Sequence, residues 1–126
     1  MMCFTLITAF CWGQSQGEMS NGAAQRYQQA DKALNTTYQK ILKEYKEDTA
    51  FIRNLKNAQR AWIQFRDAEM KAMYPDRKPG YYGSVQPMCW YNYKARLTEE
   101  REAKLKIWLE GIPEGDVCAG SVKTKN

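Results

Sequence analysis

The sequence predicts an all-α protein: a small bundle of three main helices with an ordered loop between helices 2 and 3. Three observations predict it. Apolar residues recur at three- and four-residue steps in three separate stretches of the 126-residue chain. Proline and glycine gather between and after those stretches, where helices must stop. No stretch alternates apolar and polar residues as a half-buried strand does. The length sets one domain as the bound, with room for a modest core.

The first helix is expected from Ala23, behind the starting residues Ser20-Asn21-Gly22. Tyr27, Ala30, Leu34, Tyr38, Ile41 and Tyr45 share one face, with Gln, Lys and Glu between them. Asp48-Thr49 breaks the pattern and can cap a second helix. That helix should run from about Ala50 to Tyr74. Its apolar stripe is Ile52, Leu55, Ala58, Trp62, Phe65, Ala68 and Ala72, bordered by Gln59, Arg66 and Glu69. Pro75 ends it, since the residue before a proline is pushed out of the helical region. Residues 75–87 hold three Pro and two Gly, so no regular element fits. A third helix is expected from about Met88 to Glu110, with Cys89, Tyr93, Leu97, Arg101, Leu105 and Trp108 on one face, stopped by Gly111 and Pro113. The short turn between helices 1 and 2 makes them antiparallel neighbours, and the third should cross them. Residues 112–126 read as an irregular tail that frays unless Cys118 ties it down.

The N-terminus reads as a leader. Met2 to Trp12 is an uncharged apolar run of signal-peptide length, too short to span a bilayer, although no Lys or Arg precedes it. Export with cleavage near residue 13 is the favoured reading. Lipidation at Cys11 and a buried N-terminal strand are the alternatives, and Phe10 suits the former poorly. Without the leader only Cys89 and Cys118 of the four cysteines remain, and an oxidising compartment would allow one disulfide between them.

Catalysis is not expected. The chain has no His, which removes Ser–His and Cys–His arrangements. Asp67 and Glu69 are two apart on a helix and point in different directions. Glu99, Glu100 and Glu102 sit among Arg and Lys as a solvated ion-pair face. No metal or cofactor motif is present, and the cysteine spacing is unlike a zinc site. The net charge of +5 is spread along the helices instead of clustered, so nucleic acid is not the expected partner. Weak contact with an anionic envelope surface remains compatible with it.

The residues left for a function are aromatic. Tyr81, Tyr82, Gly83 and Ser84 lie on the Gly/Pro-framed loop, where a tyrosine pair supplies contact area at low entropic cost. The competing reading folds the loop back, with its rings in the core. Trp90 lies off the stripe of helix 3 and should be partly exposed, whereas Trp62 and Trp108 should be core. Gln59, Arg66, Asp67 and Arg101 read as a structural polar network that fixes helix register, with a binding hot spot as the alternative.

An ordered set of residues carries a family resemblance. It comprises Gln16, Glu18, Met19 and Asn21; Ala23, Tyr27, Ala30-Asp31, Leu34-Asn35 and Tyr38; Leu55, Gln59, Trp62 and Arg66-Asp67; then Gly83-Ser84, Cys89, Leu97-Thr98 and Arg101. Over residues 14–109 the chain resembles the lysozyme-inhibitor LprI-like family, formerly a domain of unknown function. The resemblance implies an exported, helical, disulfide-stabilised bacterial domain, periplasmic or lipid-anchored, that binds and inhibits a lysozyme. A monomer acting on a protein partner is the expectation. An immunity protein against a periplasm-delivered toxin, and an envelope protein that binds peptidoglycan or anionic lipid, are the alternatives. The chain departs from the family where Gly22 and Met70 replace usual cysteines. Cys89 thus lacks its expected partner; either Cys118 substitutes, or Cys89 is buried as a small apolar residue. Lysozymes are commonly basic, as this chain is, a mismatch that slows encounter.

Overall fold

The computed structural model describes the backbone of residues 7–125 and the side chains of residues 17–125. Three helices form it: α1 (Ile7–Glu44), α2 (Thr49–Met73) and α3 (Gln86–Glu110). Of the expected leader, residues 1–6 lie outside the described residues, and 7–13 are described only as backbone in α1.

α1 begins well before Ala23, which corrects the expected start. Ser20-Asn21-Gly22 does not interrupt it, and neither Gly17 nor Gly22 adopts positive φ. A glycine inside a helix costs only about 1 kcal/mol, and extending an existing helix is far easier than nucleating a new one. The other ends follow the expected chemistry. The Asp48 carboxylate accepts from Phe51 N at 3.1 Å and caps α2. Pro87 occupies the first turn of α3, where its missing N–H is no loss. Gly111, at φ 85°, ends that helix.

The chain packs differently from the expected order. α1 and α3 form the closest pair. They run parallel: Tyr27 meets Tyr91, Thr37 meets Glu102, and Tyr45 meets Trp108. α2 is antiparallel to both, with Phe51 against Trp108, Gln59 against Arg101 and Glu69 against Tyr93. Side-chain size explains the preference. The buried seam of α1 is Ala23, Ala30, Leu34, Thr37 and Ile41, and that of α3 is Ala95, Thr98 and Leu105. These steps of three, four and seven are a heptad seam, and its small members let two backbones approach closely. α2 buries Leu55, Gln59, Arg66 and Met70, whose longer side chains hold its backbone farther off. The expected stripe of α3 through Tyr93, Leu97 and Arg101 is the flank that meets α2, and these residues are half-buried.

On α2 the expected apolar stripe needs a larger correction. Phe65 is 55% exposed, and Ala58, Ala68 and Ala72 are exposed too. The inward line is Leu55, Gln59, Trp62, Arg66 and Met70, at steps of four, three, four and four. Arg66 and Phe65 are neighbours about 100° apart around the helix, so only one can face inward. Arg66 takes the place because its charge is met there. Its Nε donates to Asp67 Oδ1 at 3.2 Å, and its guanidinium lies 5.2 Å from the Trp62 ring and 5.9 Å from that of Tyr27. Trp62 and Trp108, expected in the core, are half-buried against it.

The tail is tied down, and not by Cys118. Ile112 pairs with Thr124 in an isolated parallel bridge, with Ile112 N donating to Lys123 O and Lys125 N to Ile112 O. The Tyr45 hydroxyl donates to Trp108 O at 2.7 Å and accepts from Lys123 N at 3.0 Å. Trp108 Nε1 donates to Ser121 Oγ at 3.0 Å. Gly111 is required here, because a Cβ on it would lie 3.0 Å from Lys123 O. Cys89 and Cys118 are both free thiols, so of the two readings the disulfide between them is not formed, and Cys89 is half-buried. Cys89 lies in the first turn of α3 and the tail is pinned at its last, about 30 Å of helix apart, far beyond the reach of a disulfide.

Candidate partner-binding site

The loop after α2 is built on tyrosines. α2 ends at Tyr74, whose N–H bonds Met70 O before Pro75 turns the chain away. Two turns follow, with Tyr81 N donating to Lys78 O and Gly83 N to Gly80 O. Gly80 and Gly83 adopt φ 82° and 79°, a region open to glycine at no steric cost. The rings then stack edge to face in series. Tyr81 meets Tyr82 at 5.0 Å, Tyr82 meets Tyr74 at 5.5 Å, and Tyr74 meets Tyr93 of α3 at 6.5 Å. The Tyr82 hydroxyl donates to Pro75 O, and the Tyr93 hydroxyl donates to Glu69 Oε1 at 3.1 Å. A ladder of four rings thus runs from the α2–α3 seam to the loop surface.

The two sequence readings of the loop divide between its tyrosines. Tyr82 turns inward and is half-buried, whereas Tyr81 is 67% exposed, with the Arg77 guanidinium 5.8 Å from its ring. Gly83 and Ser84 are exposed. Burial raises the pKa of the Tyr74 phenol, and its neighbours Cys89 and Tyr82 add to the effect. Burial also raises that of Tyr93, as does its bond to Glu69. The Tyr93 hydroxyl thus stays a neutral donor to Glu69 at physiological pH, suited to holding the loop and not to proton transfer.

Trp90 is half-buried on α3. Its ring meets Tyr91 edge to face at 5.1 Å, and the Lys94 ammonium lies 4.9 Å from its centre and 4.6 Å from that of Tyr27. Two shallow depressions share Tyr74, Asp76 and Gln86 as lining; Trp90 borders one, and Tyr81 and Tyr82 border the other. Trp90 and the loop therefore share one surface. The polar set divides into two contacts: Arg101 Nε donates to Gln59 Oε1 at 3.0 Å between α3 and α2, while Arg66 and Asp67 pair within α2. The ring ladder was missed in sequence because Tyr74 reads only as the residue before a proline.

Among the described residues no three Cys, Asp or Glu side chains cluster as a metal would require. No described helix is long and apolar enough to cross a membrane.

This architecture defines a class: a small helical module that presents a preformed aromatic loop. The chain belongs to the family of lysozyme inhibitor LprI, whose model matches residues 11–105. It is also 35% identical over 107 residues to the uncharacterised protein R02472 of Rhizobium meliloti (strain 1021), covering 76% of this chain and 75% of that protein. No solved structure matches the chain. The family's name describes inhibition of a lysozyme.

Proposed function

We propose that this protein is an exported inhibitor that binds a lysozyme through Tyr81, Tyr82, Gly83, Ser84 and Trp90. The observation that carries the reading is the exposed ring of Tyr81 on a loop held by its neighbours, in a chain of the LprI family. An ordered loop has already lost the conformational freedom that a floppy one gives up on binding, so more of its contact energy appears as affinity. A projecting loop also suits a concave partner, and the substrate cleft of a glycan-cleaving enzyme is one. The Gln59–Arg101 contact fixes α2 against α3 midway along the two helices, away from this site. Both partners carry positive charge, so association is expected to be slow at low salt and faster as salt screens the repulsion.

A turbidity assay of cell-wall lysis tests the reading. The purified protein should slow lysozyme in proportion to its concentration. No slowing at high molar excess would overturn it.

A further inference from the structure

Because its long side chains hold α2 off its neighbours, an open groove of about 510 Å³ remains between the first half of α2 and the last half of α3. That is within the range of small-molecule sites, roughly 300–1,000 Å³. Its walls are Phe51, Leu55 and Ala58 from α2 and Leu105 and Trp108 from α3. Two charged groups line it, Arg101 and Asp48. The Asp48 carboxylate is committed to capping α2. It lies toward Trp108, about 10 Å along α3 from Arg101.

Arg101 has no carboxylate within ion-pair distance among the described residues, although its surroundings are partly desolvated. Its Nε is taken by Gln59, and its guanidinium stacks 6.0 Å from Trp62. Burial, with no anion to offset it, lowers its pKa. A guanidinium carries five donors, and here the terminal Nη pair has no partner among the described residues. No fully buried polar side-chain atom lacks a partner among those residues, so the Nη pair keeps some exposure to solvent. A partly desolvated cation without an anion is an unfavourable arrangement that a carboxylate would relieve.

We propose that this groove binds an amphiphilic monocarboxylate of the fatty-acid class. The carboxylate sits on the Nη pair of Arg101, and the alkyl chain lies along Leu105, Leu55, Phe51 and Trp108. The site lies at the other end of α2 from the tyrosine loop and stands independently of lysozyme binding.

Laurate titrated into the full chain below its micellar concentration, followed by tryptophan fluorescence and calorimetry, tests this. One equivalent should bind. Dodecanol, with the same chain and no charge, should bind about tenfold or more weakly, as loss of a charge-assisted pair requires. Arg101→Met should weaken laurate similarly, and Ala58→Trp should block it by filling the groove while leaving Arg101 in place. If Arg101→Met loses helix content, dodecanol and Ala58→Trp decide the matter on folded protein. Absence of laurate binding up to about 1 mM, equal binding of laurate and dodecanol, or binding unaffected by Ala58→Trp would overturn the assignment.

Discussion

Replacing Tyr82 with alanine should loosen the loop and leave the bundle intact. The ring makes edge contacts with Tyr81 at 5.0 Å and Tyr74 at 5.5 Å, and its hydroxyl donates to Pro75 O. Each ring pair contributes about 0.5–1.5 kcal/mol and the hydrogen bond about as much, so the loop loses about 1.5–4.5 kcal/mol of local order. Tyr82 takes no part in the core cluster around Leu34, Ile41, Leu55 and Leu105, so the loss stays local. At about 1.4 kcal/mol per factor of ten, the open fraction of the loop should rise by about ten- to a thousandfold. Hydrogen exchange reads this directly. The amides of Tyr81 and Gly83, bonded to Lys78 O and Gly80 O, should exchange faster by that factor. Amides around Ile41 should keep their wild-type rates. Unchanged exchange at Tyr81 and Gly83 would refute the ladder as the source of loop order. Faster exchange throughout the three helices would refute its independence from the core.

Three further outcomes follow from the packing. Tyr45→Phe removes one hydroxyl that serves both Trp108 O and Lys123 N; it should cost about 1–3 kcal/mol in urea unfolding and open residues 112–125 to protease first. Phe65→Ser should change stability by no more than about 0.5 kcal/mol, as expected for a surface position that is 55% exposed; a loss of several kcal/mol would place Phe65 in the core. Glu99 bonds Arg26 at 2.8 Å through two oxygens, and this holds its pKa below the usual carboxylate range. The stabilisation from this pair is therefore full above the unfolded carboxylate pKa, about 4.3, and fades as pH falls through the lower folded value. Both side chains are well exposed, so it amounts to about 1 kcal/mol at most. Nuclear magnetic resonance titration should find the Glu99 pKa moving up in Arg26→Met.

Three helix ends and the large apolar members of the central seam were the most legible parts of the sequence. Asp48, Pro75 and Gly111 each act locally, through a cap, a backbone clash and a positive φ, and local chemistry needs no knowledge of the fold. Leu34, Ile41 and Leu105 were legible because large apolar residues on a periodic face have nowhere else to go. The rest depended on partners distant in sequence. Arg66 looks like a border residue until Trp62, Tyr27 and Asp67 surround it, and Phe65 looks like core until Arg66 takes the inward place. Thr98 and Thr37 read as polar, yet both are buried, Thr98 bonding back to Lys94 O and Thr37 donating to Glu102. The tail's attachment was hidden in the Tyr45 hydroxyl, which no periodicity signals. In the candidate site, Tyr81 and Tyr82 were visible as a pair, but which one faces out depends on Tyr74 and Tyr93.

The most direct test of the proposed role is calorimetric titration of a lysozyme with the wild-type protein and with Tyr81→Ala. We expect a saturable 1:1 complex for the wild type. Loss of an exposed aromatic contact at the centre of an interface costs about 2 kcal/mol or more, so Tyr81→Ala should bind about thirtyfold more weakly while keeping its helix content. No heat of binding from the wild type, or equal affinity for the two proteins, would contradict a lysozyme-binding loop centred on Tyr81.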